Sequence, residues 1–373
     1  MSSRPFIPVS KPALIGRERE YVLDCLDSTW ISSSGKYIER FERKFADYLG
    51  VKHALSCCNG TVALHLALLA LGIGPGDEVI VPTLTYVATA NAVVYTGARP
   101  VLADAEGDTW NLDPAKIEAL ITSRTKAIIP VPLYGHPCDM DAIIAIARRY
   151  GLAVIEDAAE ALGSKYRGRM CGAIADISTF SFYGNKTITT GEGGMVVTND
   201  DGLAVRIRQL KGQGMDSERR YWFPIVGYNY RMTNVAAAIG LAQLENAAIF
   251  VEKRRMISSW YQDFLRRIPA LILPTEKEYA FHSYWMYTVL IEAHGFASRD
   301  SVAAFLHEQG IETRPVFYPM HIMPVYKDAG RSLACSEKIA AVGLNLPTFY
   351  DLTEDDVSYI AAQLAKALGS PVF

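Results

Sequence analysis

The stretch Leu152-Ala153-Val154-Ile155-Glu156-Asp157-Ala158-Ala159-Glu160 leaves a glycine turn, runs through four apolar residues and ends on acids. A short continuous apolar run of this kind reads as a strand buried on both faces, with Asp157 at its carboxyl end. Upstream the same unit recurs. Asp77-Glu-Val-Ile-Val-Pro, Arg99-Pro-Val-Leu-Ala-Asp and Lys126-Ala-Ile-Ile-Pro-Val each follow a turn, and helix candidates at 61–71, 85–95, 113–121 and 140–150 lie among them. Strands alternating with helices predict an α/β fold, a mainly parallel sheet flanked by helices. Downstream, Ile177–Phe182 and Gly194–Thr198 are expected to pair as a hairpin around the loop that carries Lys186. From Thr233 a helical pattern rich in Ala, Leu and Glu runs past Arg267, long enough to link two domains. A strand at 284–291 and helices at 299–309 and 354–368 then predict a smaller α+β unit, with domains at 1–250 and 251–373.

The chain has 373 residues, a net charge of −3, half its residues hydrophobic and 21% charged. That is globular composition with room for a large core. Without a long basic run, nucleic acid and anionic membranes are poor candidates as main partners. There is no N-terminal signal pattern, and no apolar stretch reaches membrane length, so a cytoplasmic protein is expected. Cysteines 25, 57, 58, 138, 171 and 335 form no CxxC pair, which argues against a metal site or a disulfide framework.

The chemistry is expected at the carboxyl ends of the strands, where open α/β sheets bind ligands. Lys186 leaves an apolar run and enters a loop of glycines and small polar residues. A lysine able to form a Schiff base, with an acid able to hold a pyridinium nitrogen, is the pairing that pyridoxal 5′-phosphate (PLP) requires. Asn59-Gly60-Thr61 lies between a strand and a helix start, a geometry that offers free amides and the helix dipole to a phosphate. Tyr86 could stack on a cofactor ring, Glu160 could reach the ring hydroxyl, and Ser181 could donate to the phosphate. Each residue also has a simpler reading. Asn59 or Thr61 would cap the helix, Asp157 would cap the next one, Tyr86 would be a core tyrosine, and Glu160 and Lys186 would be solvated. The ordered set favours the cofactor.

These residues, with Asn59–Leu64, Gly74–Pro82, Glu156–Ala161, Phe180–Lys186, Gly191–Met195, Gly227–Thr233, Arg314–His321 and Leu344–Thr348, resemble the DegT/DnrJ/StrS sugar-aminotransferase family over nearly the whole chain. The resemblance implies the fold-type-I PLP-dependent aminotransferase architecture. It implies Lys186 as the Schiff-base lysine, Asp157 on the ring nitrogen, Tyr86 stacked on the ring, and Gly60, Thr61 and Ser181 on the phosphate. It also implies a homodimer with shared active sites, Asn229 reaching the neighbouring subunit's phosphate. Two positions depart from many members: Pro132 stands where histidine is common, and Glu160 where glutamine is common. The stretches 28–33, 212–233 and 284–288 are similar to the branch that aminates GDP-4-keto-6-deoxymannose, with L-glutamate as donor, for O-antigen synthesis. UDP- and dTDP-keto-sugars are the alternatives. A sugar dehydratase on this scaffold resembles the family but carries histidine in place of Lys186, and a regulatory role lacks a DNA-binding segment. For the nucleotide diphosphate and sugar, Arg219, Arg220, Arg231, Trp30 and Tyr318 are candidates. A solvated loop suits the first two equally, a structural role suits Arg231, and buried packing suits Trp30 and Tyr318.

Overall fold

The structure is a computed structural model and describes residues 4–292, 298–327 and 332–370. Two N-terminal helices, α1 (Glu18–Asp27) and α2 (Lys36–Leu49), precede an alternation of strands and helices. It runs β1 (His53–Cys57), α3 (Gly60–Ala70), β2 (Glu78–Pro82), α4 (Ala88–Tyr95), β3 (Arg99–Ala103), β4 (Thr125–Ile128), α5 (Met140–Tyr150) and β5 (Ala153–Asp157). Two short strands, β6 (Lys165–Tyr166) and β7 (Arg169–Met170), lead to β8 (Ile177–Ser181) and β9 (Gly194–Thr198).

The main sheet has seven strands in the order β1-β9-β8-β5-β4-β2-β3. All pairings from β8 to β3 are parallel, and β9 runs antiparallel to both neighbours. Each strand presents apolar residues to both faces, as a sheet covered by helices requires. On β9, Val196 joins one core with Leu55, Leu66 and Ile155. Its neighbours Met195 and Val197 join a second core with Phe41, Phe45 and Phe180. Helix α3 is apolar nearly all round and buried along its length, the signature of a helix inside the core.

After α6 (Asp201–Lys211), the expected single long helix is two: α7 (Asn234–Glu245) and α8 (Ala247–Leu265), bent by 59° at Asn246. The Asn246 side chain donates to the carbonyl of Ala242 at 3.0 Å, competing for an acceptor that a continuous helix would use. The helix expected at 113–121 is likewise corrected to two short 3₁₀ turns, Pro114–Lys116 and Glu118–Leu120. So short a segment does not recover the cost of nucleating an α-helix.

Helix α8 carries the chain into a third core. Ala247 and Phe250 pack with the second core, whereas Ile257, Tyr261 and Leu265 pack with Tyr287, Val289 and Leu364 farther along the chain. The expected boundary at 250/251 falls inside this helix. Strands β10 (Leu271–Ile272), β11 (Ala280–Phe281), β12 (Tyr287–Ile291), β13 (Arg314–Pro315) and β14 (Gly343–Leu346) follow, with α9 (Arg299–Glu308), α10 (Ala334–Val342) and α11 (Glu354–Ala367). Four of these strands form the antiparallel order β10-β12-β14-β13, and β11 pairs with β6. Strand β12 begins three residues later than the sequence suggests, because Tyr284 sits at φ 50° in the left-handed region. Among the described residues no single helix is long and apolar enough to cross a membrane.

Candidate active site

Parallel strands bring their carboxyl ends to one edge of the sheet, and the predicted residues gather there. Asp157 ends β5, Ser181 ends β8, Asn59-Gly60-Thr61 follows β1, and Tyr86 lies in the turn between β2 and α4. The antiparallel pairing of β8 with β9 folds residues 182–193 back over this edge. The loop is pinned where Phe182 N–H donates to Gly193 O at 2.8 Å and Thr190 N–H to Phe182 O at 2.9 Å. Lys186 hangs from that loop.

Lys186 is nearly buried, its side chain 13% exposed, with Nζ 3.8 Å from Glu160 Oε1. On another side Nζ lies 3.7 Å from the centre of the Trp285 ring. Burial pushes the amine below its ordinary pKa, while Glu160 and Asp157 pull it back up. Glu160 is buried and accepts from the Tyr134 backbone N–H at 2.8 Å. Burial still holds its carboxyl up at about 7, against the nearby Lys186 charge. The solvated reading of Lys186 and Glu160 is therefore set aside. Pro132 starts the turn Leu133–Gly135, which turns the Tyr134 amide toward Glu160.

Asp157 is buried and accepts from the Thr89 hydroxyl at 2.7 Å. Desolvation raises its pKa, against Thr89 and the charge of Lys186. No ion pair among the described residues includes Asp157, so its carboxylate fits a cationic ring nitrogen at the strand end. Asn59 caps α3 by accepting from Val62 N–H at 3.0 Å, as the simpler reading expected. The amides of Gly60 and Thr61 precede the first intrahelical bond and face outward as donors. A Cβ on Gly60 would lie 2.7 Å from the Ser181 Cβ, so the first turn of α3 and Ser181 are in close contact. Helix amides beside a serine hydroxyl are a donor set that suits a phosphate. The two ends of the site thus fit PLP.

Tyr86 is 58% exposed rather than a core tyrosine, its ring 5.9 Å from that of Phe317. Trp30 and Tyr318 are 59% and 52% exposed, which removes the packing explanation for both. Asn229, Arg219, Arg220 and Arg231 all lie on the exposed connection between α6 and α7. Arg219 lies over Trp222 at 4.2 Å and Arg220 over Tyr221 at 4.9 Å. Arg231 donates to Asn229 at 3.2 Å. No hydrogen bond or ion pair among the described residues ties these four to Lys186, Asp157 or Glu160 within one chain. Thr89 and Trp285 are site residues that sequence reading passed over. Thr89 stands one helical turn after Tyr86, a spacing that could have marked it; Trp285 reaches the site only through the tertiary fold.

Residues 12–365 match the model of the DegT/DnrJ/EryC1/StrS aminotransferase family. The chain is 57% identical to a GDP-perosamine synthase of Caulobacter vibrioides, covering 99% of this chain and 100% of the relative. It is 52% identical to a GDP-perosamine synthase of Escherichia coli O157:H7, covering 96% and 98%. Among solved structures, S. venezuelae DesV in complex with a ketimine intermediate superposes with a TM-score of 0.91 at 35% identity, covering 97% and 98%. The chain belongs to the DegT/DnrJ/EryC1/StrS aminotransferase family and is a PLP-dependent enzyme.

Proposed function

We propose that the chain transfers the amino group of L-glutamate to C4 of GDP-4-keto-6-deoxy-D-mannose, forming GDP-perosamine for surface polysaccharide such as O-antigen. The nucleotide-sugar choice is supported by full-length similarity to two GDP-perosamine synthases. The chemistry rests on one observation: a buried lysine amine 3.8 Å from Glu160, beside a buried Asp157 that has no ion-pair partner among the described residues.

When bound, PLP supplies the carbon that carries the amino group and a protonated ring that accepts negative charge. Lys186 anchors it covalently. Once free, Lys186 Nζ takes the proton from Cα of glutamate and, in the second half, delivers one to C4 of the sugar. Burial lowers the pKa of this amine and so favours the neutral form that can take a proton. Asp157 stays ionised against the ring nitrogen and keeps that nitrogen protonated. Glu160 holds the ring hydroxyl, Tyr86 covers the ring face, and Gly60, Thr61 and Ser181 hold the phosphate. The partner's Asn229 completes the phosphate site in a homodimer. Arg219, Arg220 and Arg231 pair with the diphosphate, and Trp30 and Tyr318 line the sugar. A cytoplasmic location suits soluble nucleotide-sugar substrates.

Purified protein with glutamate and a panel of GDP-, UDP- and dTDP-linked keto-sugars tests the substrate. Mass analysis is expected to find the amino sugar from GDP-4-keto-6-deoxymannose; conversion of only the UDP or dTDP sugars would overturn the choice.

A further inference from the structure

Trp285 is 3% exposed and leads into β12, far in sequence from the strands that build the site. Its indole nevertheless closes a ring of contacts around Lys186. The ring centre lies 3.7 Å from Lys186 Nζ. The indole N–H donates at 2.7 Å to the carbonyl of Asn185, the residue before Lys186. The ring also stacks on Tyr134, centroids 6.2 Å apart and planes 22° from parallel. Tyr134 in turn gives its backbone N–H to Glu160, whose other oxygen faces Lys186. From behind, the buried guanidinium of Arg254 donates to the carbonyl of Trp285 at 2.7 Å and to that of Thr348 at 2.9 Å, fixing the peptide that bears the indole.

One side chain thus gives its donor to the Lys186 loop and its ring face to the amine. A buried ammonium has lost its water, and an aromatic face restores part of the attraction. We propose that Trp285 is a positioning residue, the platform on which the released Lys186 amine rests as an ammonium and the anchor of the loop that presents it. This rests on the reading that Lys186 carries the cofactor. In the resting position Nζ is held between the Glu160 carboxylate and the indole face, so the freed amine keeps one location while substrates exchange. The charged groups that act on it are Asp157 at the end of β5 and Glu160 from the turn after it, which favour the ammonium, and Arg254 from α8, which opposes it. The indole adds to the favourable side. That places the lysine near the balance between acid and base that a proton carrier needs.

Fluorinated tryptophans at position 285 keep the shape and the N–H but drain electron density from the ring face. Full-length protein loaded with pyridoxamine 5′-phosphate leaves Lys186 free, and acetic anhydride labelling followed by peptide mass analysis gives the pH midpoint of its reactivity. The midpoint is expected to fall stepwise with each fluorine, by about one pH unit over the series. kcat should fall in parallel while KM for both substrates holds steady. Trp285→Phe, which keeps a weaker aromatic face and loses the donor, is expected to lower both the midpoint and kcat. A midpoint that does not move across the fluorinated series would overturn the platform. Full turnover by Lys186→Ala would instead strike the reading of Lys186 itself, so the two failures are distinguishable.

Discussion

Glu156 and Asp157 are adjacent on β5, so their side chains leave the sheet on opposite faces. Asp157 turns to the site and Thr89. Glu156 turns away, fully buried, and accepts from the Gly172 backbone N–H at 2.7 Å, with the Cys171 thiol beside it. Desolvation raises the Glu156 carboxyl to about 7 from an ordinary 4.5. The folded protein therefore holds this proton up to about pH 7, whereas the unfolded chain releases it near 4.5. Stability contributed by the group is complete below pH 4.5, declines as pH rises to about 7, and is flat above, a change of roughly 3 kcal/mol. Glu156→Gln should reduce the slope by this group's share and leave that of Glu160, as read by denaturant unfolding from pH 5 to 8; an unchanged slope would show that Glu156 ionises freely. Lys186 and Asp157 were legible in sequence because strand ends advertise them. Thr89 was legible only as a helix neighbour of Tyr86, and Trp285 not at all, since no local pattern says which aromatic will fold onto a lysine.

The elements matter to the site through their close approaches. The first residue of α3 is glycine where a Cβ would lie 2.7 Å from the Ser181 Cβ. Gly60→Ala should force the helix start and β8 apart, an overpacking strain of about 1–3 kcal/mol. Its main effect is expected on cofactor retention, with at least a tenfold weaker PLP affinity by absorbance titration. Unchanged affinity would mean that the phosphate is held elsewhere. A second approach joins the cores: the Asp104 carboxylate, just past β3, accepts from Ser336 N–H at 2.9 Å and Ser336 hydroxyl at 2.6 Å, capping the first turn of α10. The parallel strands and the β8–β9 hairpin were readable because apolar runs between turns have few alternatives. The break at Asn246 was not. Ala, Leu and Glu continue the helical pattern across it, and only the bond from Asn246 to Ala242 marks the bend.

At the scale of the whole molecule, the connection between α6 and α7 stands apart from the three cores. Tyr221, Trp222, Phe223 and Val226 are exposed by 72%, 52%, 53% and 87%, and Asn229 follows them. Apolar side chains this exposed, next to the residue proposed for the neighbouring phosphate, suit a surface covered by a second copy. One chain's sequence could not have placed them, because none of this chain's cores takes them in. Within the chain, everything converges on Lys186: two carboxylates from β5 and the turn after it, an indole from just before β12, and a loop held by the β8–β9 pairing. The most direct test is a single half-reaction. PLP-loaded protein is mixed with glutamate in the absence of sugar, and 2-oxoglutarate is measured with the visible absorption of the cofactor, for wild type and for Lys186→Ala. The account predicts about one 2-oxoglutarate per chain with loss of the visible band in wild type, and neither change in a folded Lys186→Ala variant. Equal release by the two proteins would contradict it.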